Sequence, residues 1–186
     1  VIPYAITYYT DNKKGIVKNY YSRTKKINYI LAKYIAVFLT GGTAAVLPLM
    51  LNLFATSAVI PSFIAITDTI PCNANGMWSY ILFTHPYIYY LLYFILQFIC
   101  AGLLATMSLV ISMYVNNAFI VLLFPSVLCE FLNAVLNWLP IKDYRYIRAA
   151  APWRLFRIDQ LAIDYWQSFA IFICVILLLD LIIYVW

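Results

Sequence analysis

From Tyr34 to Ile141, 108 consecutive residues carry no Lys or Arg and only two acids, Asp68 and Glu130. A water-facing domain cannot be built from such a run, because soluble proteins carry about 25% charged residues and cover their surface with them. The whole chain has 10% charged residues against 66% hydrophobic ones. Runs of about 20 apolar residues are what a bilayer demands of a spanning helix, which satisfies its own backbone in lipid. The sequence therefore predicts an all-α, polytopic membrane protein. It excludes a soluble enzyme, a nucleic-acid reader and a disordered tail.

Polar and proline residues punctuate the run into spans. Residues 1–10 read as the end of a truncated N-terminal helix, since the apolar run Val1–Tyr9 is too brief to cross a bilayer. Residues 11–33 are basic and Tyr-rich and belong at one membrane face. Their later part suits an interfacial helix, with Ile16, Tyr20, Ile27, Ile30 and Leu31 at i, i+4 spacings. Four complete spans are predicted at 34–60, 86–113, 118–138 and 166–186. The first contains Gly41, Gly42 and Pro48, which neighbouring helices make tolerable in lipid. Gly41 and Ala45 form one small-residue pair, and Ala101, Ala105, Ser108 and Ser112 trace a small face on the second span.

Residues 61–85 read as a loop in which Trp78–Phe83 dips back to the interface. The polar break Tyr114-Val115-Asn116-Asn117 makes a hairpin of spans two and three. Residues 139–165 form a long polar loop, where Leu155, Ile158, Leu161 and Ala162 suit a short helix on the interface, either gating an exit or capping the bundle. Trp78, Trp138, Trp153, Trp166 and Trp186 all fall at predicted interfaces, as an aromatic belt requires.

The formal net charge of +5 is unevenly placed. Residues 11–33 hold Lys13, Lys14, Lys18, Arg23, Lys25, Lys26 and Lys33 against Asp11 alone. Basic clusters beside apolar spans set topology and meet lipid headgroups, which places 11–33 in the cytoplasm and membrane lipids among the partners. Three spans later, Lys142, Arg145, Arg148, Arg154 and Arg157 then lie outside. Cys72, Cys100, Cys129 and Cys174 are scattered, and His85 is the single histidine, so no metal site is expected. His85-Pro86 reads as a helix start.

Polar residues inside the spans are few. Ser126, Glu130, Asn133 and Asn137 follow i, i+4, i+7, i+11 and share one face of the third span. They either line a translocation path or hydrogen-bond a neighbouring helix; an ionisable group at such depth needs one role or the other. Asp180, inside the last span, calls for an ion-pair partner elsewhere or a substrate role. Gln97 suits interhelical bonding.

The segment Asp11-Asn-Lys-Lys-Gly15, followed by Ser22-Arg23 and by Lys33-Tyr34, resembles the ABC-2 type permeases of ABC transporters. In that family an acid and a glycine close a descending helix, a short coupling helix follows, and a Ser-Arg-like turn and a lysine lead into the next span. Asp11, where the family commonly has Glu, and Tyr21, where it often has Pro, depart from its pattern. The resemblance implies a six-helix permease with a tight cytoplasmic hairpin and a long outer loop before the last span. It implies residues 15–26 as the ATPase contact, with Gly15, Ile16, Val17, Lys18, Tyr20, Tyr21, Arg23 and Lys25 as coupling residues.

No GxxxxGK[ST] occurs, so ATP and Mg would be held by a separate nucleotide-binding subunit, and this chain would bind no cofactor itself. A second permease copy or a homologous permease would complete the pump, which would export an amphipathic peptide, lipid-linked glycan or drug by alternating access. Tyr, Ile, Asn and Lys usage points to an AT-rich bacterial genome and its cytoplasmic membrane, where peptide export or self-immunity is a frequent assignment. Two rivals stand beside this reading. One is a structural or assembly subunit without transport. The other is an intramembrane enzyme, for which His85, Asp68, Glu130 and Asp180 sit at different depths and form no paired motif.

Overall fold

The computed structural model of the chain describes residues 7–23, 25–59, 78–115, 117–138 and 166–185. All regular structure among them is helical: α1 (Thr7–Lys13), α2 (Ile16–Tyr21), α3 (Lys26–Val59), α4 (Ser79–Thr84), α5 (Pro86–Ile111), α6 (Ala118–Trp138) and α7 (Trp166–Val185). Three of these are long and apolar enough to cross a membrane: α3, α5, and α6 over Ala118–Val135. In α7 the stretch Phe169–Leu178 is apolar. The 61–77 part of the first loop, the loop 139–165 with its expected helix, Trp153 and Cys72 lie outside the described residues.

The boundaries follow local chemistry. Gly15 sits at φ +70°, the left-handed conformation that ends α1 and lets α2 begin one residue later. α2 closes on Ser22 and Arg23: the Arg23 N–H donates to Tyr20 O at 3.0 Å, and the Ser22 hydroxyl donates to Asn19 O at 2.8 Å. α3 then starts at Lys26, not Tyr34, and runs through Pro48 to Val59. No glycine or proline interrupts 26–33, so the expected interfacial helix divides: Ile16 and Tyr20 lie on α2, while Ile27, Ile30 and Leu31 belong to the first turns of α3. At 34 residues α3 is about 50 Å long, well beyond a hydrocarbon core of about 30 Å.

α5 ends at Ile111 rather than Met113, because the Met113 and Tyr114 N–H groups turn back to carbonyls three residues earlier. Asn117 Oδ1 accepts the Phe119 N–H at 3.0 Å and caps α6. His85 joins α4 to α5 through backbone bonds, its N–H to Ile81 O and its carbonyl to the Ile88 N–H. Pro86 takes the first helical position, where its missing N–H costs nothing.

The chain divides into two compact units, one of Val1–Ala45, Phe98–Leu128 and Ile176–Trp186, the other of Val46–Gln97 and Cys129–Val175. In the second, Leu82 and Tyr89 form a small core with Trp78 and Ile81. The first is organised by an exchange between α3 and α5. A Cβ at Gly42 would stand 2.7 Å from the Phe98 ring and 2.9 Å from Phe98 O. A Cβ at Gly102 would meet the Phe38 ring at 2.7 Å and Phe38 O at 2.9 Å. Each helix thus offers Phe-x-x-x-Gly, and each glycine receives the other helix's phenylalanine. The two rings meet edge to face at 5.7 Å. Pairing 38 with 102 and 42 with 98 makes the helices antiparallel. Gly41 closes the contact, since a Cβ there would overlap that of Ala105. Ala101, Ala105, Ser108 and Ser112, the small face read from the sequence, are all buried.

Lipid tails are as apolar as leucine, so this close approach rather than hydrophobic segregation holds the pair. Gly42→Ala and Gly102→Ala are each expected to cost about 1–3 kcal/mol, as overpacking does. The readout is a lowered unfolding temperature in detergent. Removing the facing ring in the double variant Gly42→Ala/Phe98→Ala should not restore it, because the carbonyl of residue 98 still obstructs the methyl.

Candidate functional site

Two acids anchor polar clusters in the first unit. Asp11 lies on α1, two residues before its end. Its Oδ2 accepts from Lys33 Nζ at 2.7 Å and from the Tyr29 hydroxyl at 3.2 Å, both on α3. Tyr29 is also packed on: Tyr20 stacks on its ring at 5.2 Å and Lys33 Nζ stands 5.8 Å from its centroid. Beneath them Tyr8, Val17, Tyr29 and Ile30 form a buried cluster with Met113 against it. The α1–Gly15–α2 segment is therefore clasped to the start of α3 by one ion pair and one aromatic core.

One residue further along α3, the Tyr34 hydroxyl donates to Asp180 Oδ2 on α7 at 2.9 Å. Thr106 on α5 reaches the same oxygen at 2.7 Å and also Leu103 O at 2.6 Å. Asp180 is only 6% exposed, and among the described residues its buried Oδ1 has no hydrogen-bond partner. Thr106 and Asp180 each stand five residues from the end of their helix, about 7.5 Å of rise. The partners of Asp180 among the described residues are thus hydroxyls, and the nearby Lys33 is engaged by Asp11.

The coupling residues suggested by the resemblance divide. Gly15 makes the turn, Ile16 and Tyr20 are exposed on α2, and Arg23 and Lys25 are exposed beyond it. Val17 is 5% exposed and belongs to the internal core, so it is not available to a partner. The side chains of Lys18 and Tyr21 lie outside the described residues. On α6, Ser126 and Glu130 are exposed and Asn133 is half-buried, while the Asn137 side chain lies outside the described residues. Gln97 is buried, as a bonding role between helices requires. His85 is exposed, Cys100 is buried, and Cys129 and Cys174 are free thiols less enclosed than it.

Sequence reasoning did not find Tyr34 and Thr106 as the partners of Asp180. A carboxyl in a span announces that donors are needed, but no local pattern names two hydroxyls 74 and 146 residues away. The chain matches no family model, no curated protein and no solved structure.

Two expectations follow. Asp11→Asn or Lys33→Met should raise hydrogen exchange across residues 14–23 by about five-fold, an opening cost lowered by about 1 kcal/mol. The swap Asp11→Lys/Lys33→Asp should bring the rate back towards wild type. Asp180→Asn should keep the thermal stability in detergent, since its amide can donate to Thr106 while Thr106 donates to Leu103 O. Asp180→Leu strands the Tyr34 hydroxyl and should cost about 1–3 kcal/mol.

Proposed function

We propose that the chain is the membrane-spanning half of an ATP-driven exporter of the ABC-2 type. It crosses a bacterial cytoplasmic membrane with α3, α5, α6 and α7 and is driven by a separate ATPase subunit. The observation that carries this reading is the clasp between Asp11 and Lys33. The acid, the glycine, the Ser-Arg turn and the lysine that make up the resemblance are dispersed over 23 positions of sequence, from Asp11 to Lys33. The acid and the lysine are joined at 2.7 Å, and the glycine and the Ser-Arg pair bracket a short helix. A motif whose members assemble into one device is better support than a motif of spacing alone.

The device suits mechanical coupling. α2 turns Ile16 outward, with Arg23 and Lys25 beside it and the half-exposed Tyr20 stacked on Tyr29 at its edge, which suits a groove with acidic rims. Inward, Val17 presses on Tyr29 and Ile30 of α3. A push on α2 therefore reaches α3 through a packed core and an ion pair, and α3 carries α5 with it because Phe38 and Phe98 are seated in glycine notches. Two permeases whose paired helices are moved this way alternate between inward- and outward-open arrangements. The cargo is amphipathic: a peptide, a lipid-linked glycan or a drug.

The test is co-purification from native membranes. The wild-type chain is expected to bring down a nucleotide-binding subunit that hydrolyses ATP. Ile16→Asp/Arg23→Glu should lose it while keeping its unfolding temperature within a few degrees. A cysteine at Ser22→Cys should be labelled by an impermeant maleimide in inside-out vesicles but not in intact cells. A chain that purifies from its native membrane with no ATPase would favour the non-transporting subunit instead.

A further inference from the structure

We propose that Met113 is the positioning residue through which α2 moves the turn between α5 and α6. This rests on the exporter reading and deepens it, by naming a route from the ATPase contact to the α5–α6 hairpin. Met113 lies two residues beyond Ile111, the last residue of α5. Its side chain is half-buried and packs against two separate clusters. One is the core of the clasp, formed by Tyr8, Val17, Tyr29 and Ile30. The other is the interior of the α3–α5 contact, formed by Val37, Ala105 and Leu109. Val17 is the contribution of α2 to the first cluster, so Met113 joins the α2 core to the end of α5. All of these residues belong to the first compact unit.

The backbone makes this contact consequential. The Ser112 N–H donates to Ser108 O at 3.0 Å and the Met113 N–H to Val110 O at 3.2 Å. The N–H groups of Tyr114 and Val115 both donate to Ile111 O at 3.0 Å. Residue 113 is thus tied to the last turn of α5 and does not sit on slack chain. Four residues further on, Asn117 caps α6 with its Oδ1, and its carbonyl accepts the Val121 N–H at 3.2 Å. A displacement of Met113 shifts the end of α5 and reaches the start of α6 across a connection of that length.

A second grip on α5 changes what α2 can do to it. The glycine notch holds α5 at Phe98 and Gly102. Ile111 stands nine residues beyond Gly102, about 13 Å along the axis. One point of contact lets a helix pivot, whereas two separated points make it tilt with the element that holds it. The unbranched thioether of methionine also suits the position, because it adapts as its neighbours shift.

The test is hydrogen exchange on the purified chain in detergent, read at the amides of residues 112–115. Asp11→Asn loosens the clasp, and exchange at 112–115 is expected to rise about three-fold together with that at 14–23. In a Met113→Ala background the same change should still raise 14–23 but add nothing at 112–115 beyond Met113→Ala alone. Met113→Leu, which keeps most of the volume, should restore the linked rise. A role in packing alone moves the unfolding temperature and the baseline rates, not the response to Asp11→Asn. Val17→Ala thins the same cluster from the α2 side and should uncouple as Met113→Ala does, which keeps the test decisive if Met113→Ala fails to fold.

No rise at 112–115 on Asp11→Asn, or an undiminished rise in the Met113→Ala and Val17→Ala backgrounds, overturns the proposal. No ATPase enters this measurement. Its failure alongside intact ATPase co-purification removes Met113 from the route alone, and linked exchange in a chain that brings down no ATPase sinks the exporter reading.

Discussion

The contact between α3 and α5 is the interaction on which the rest of the first unit depends. In a bilayer the surrounding solvent is as apolar as the side chains, so burying leucine gains little over leaving it in lipid. Helices are held by how closely their atoms can approach, and that is set by what is absent at Gly41, Gly42 and Gly102. The Phe/Gly exchange fixes more than distance. Each ring fills a notch on the other helix, so neither helix can slide or rotate without withdrawing a phenylalanine from its seat. Translation and rotation of α3 are fixed together.

Both polar clusters follow from that fixed rotation. Tyr29, Ile30, Lys33, Tyr34, Val37, Phe38, Gly41 and Gly42 recur at three- and four-residue intervals and lie on one face of α3. With Phe38 and Gly42 locked on α5, Tyr34 one turn earlier is aimed at Asp180 and Thr106. Lys33, the residue before Tyr34, and Tyr29, one turn before Lys33, are aimed at Asp11. A substitution at the glycine notch should therefore be felt at an ion pair two turns away, through the rotation of the helix and not through any chain of hydrogen bonds.

The parts legible in the sequence are those governed by composition or by local periodicity. Long apolar runs announce helices long enough to cross a membrane, and the Ala101–Ser112 face is buried as its spacing predicts. Asn116 and Asn117 mark the hairpin, and Gly15 marks the break before α2. What the spacing misplaces is the start of α3. Lysines at 26 and 33 mark the interface chemically, but a helix need not stop where the membrane does. Less legible still is pairing. Phe-x-x-x-Gly occurs at 38–42 and again at 98–102, yet that each serves the other requires knowing that the two helices are antiparallel and in register. Val17 makes the same point on a smaller scale. On a six-residue helix the inward and outward faces cannot be told apart until the partner on α3 is known.

The two acids on the apolar helices α6 and α7 differ sharply in how the fold meets them. An acid retained in a span for packing alone should find its donors within the fold, because an unsatisfied carboxyl destabilises every copy of the protein at every moment. Asp180 has met most of that requirement through Tyr34 and Thr106, and its contribution is to join α3, α5 and α7. Glu130 has met none of it within the described residues. Of the two acids, Asp180 is therefore the one the fold is built around, because losing it loosens three helices at once, whereas Glu130 stands exposed on α6.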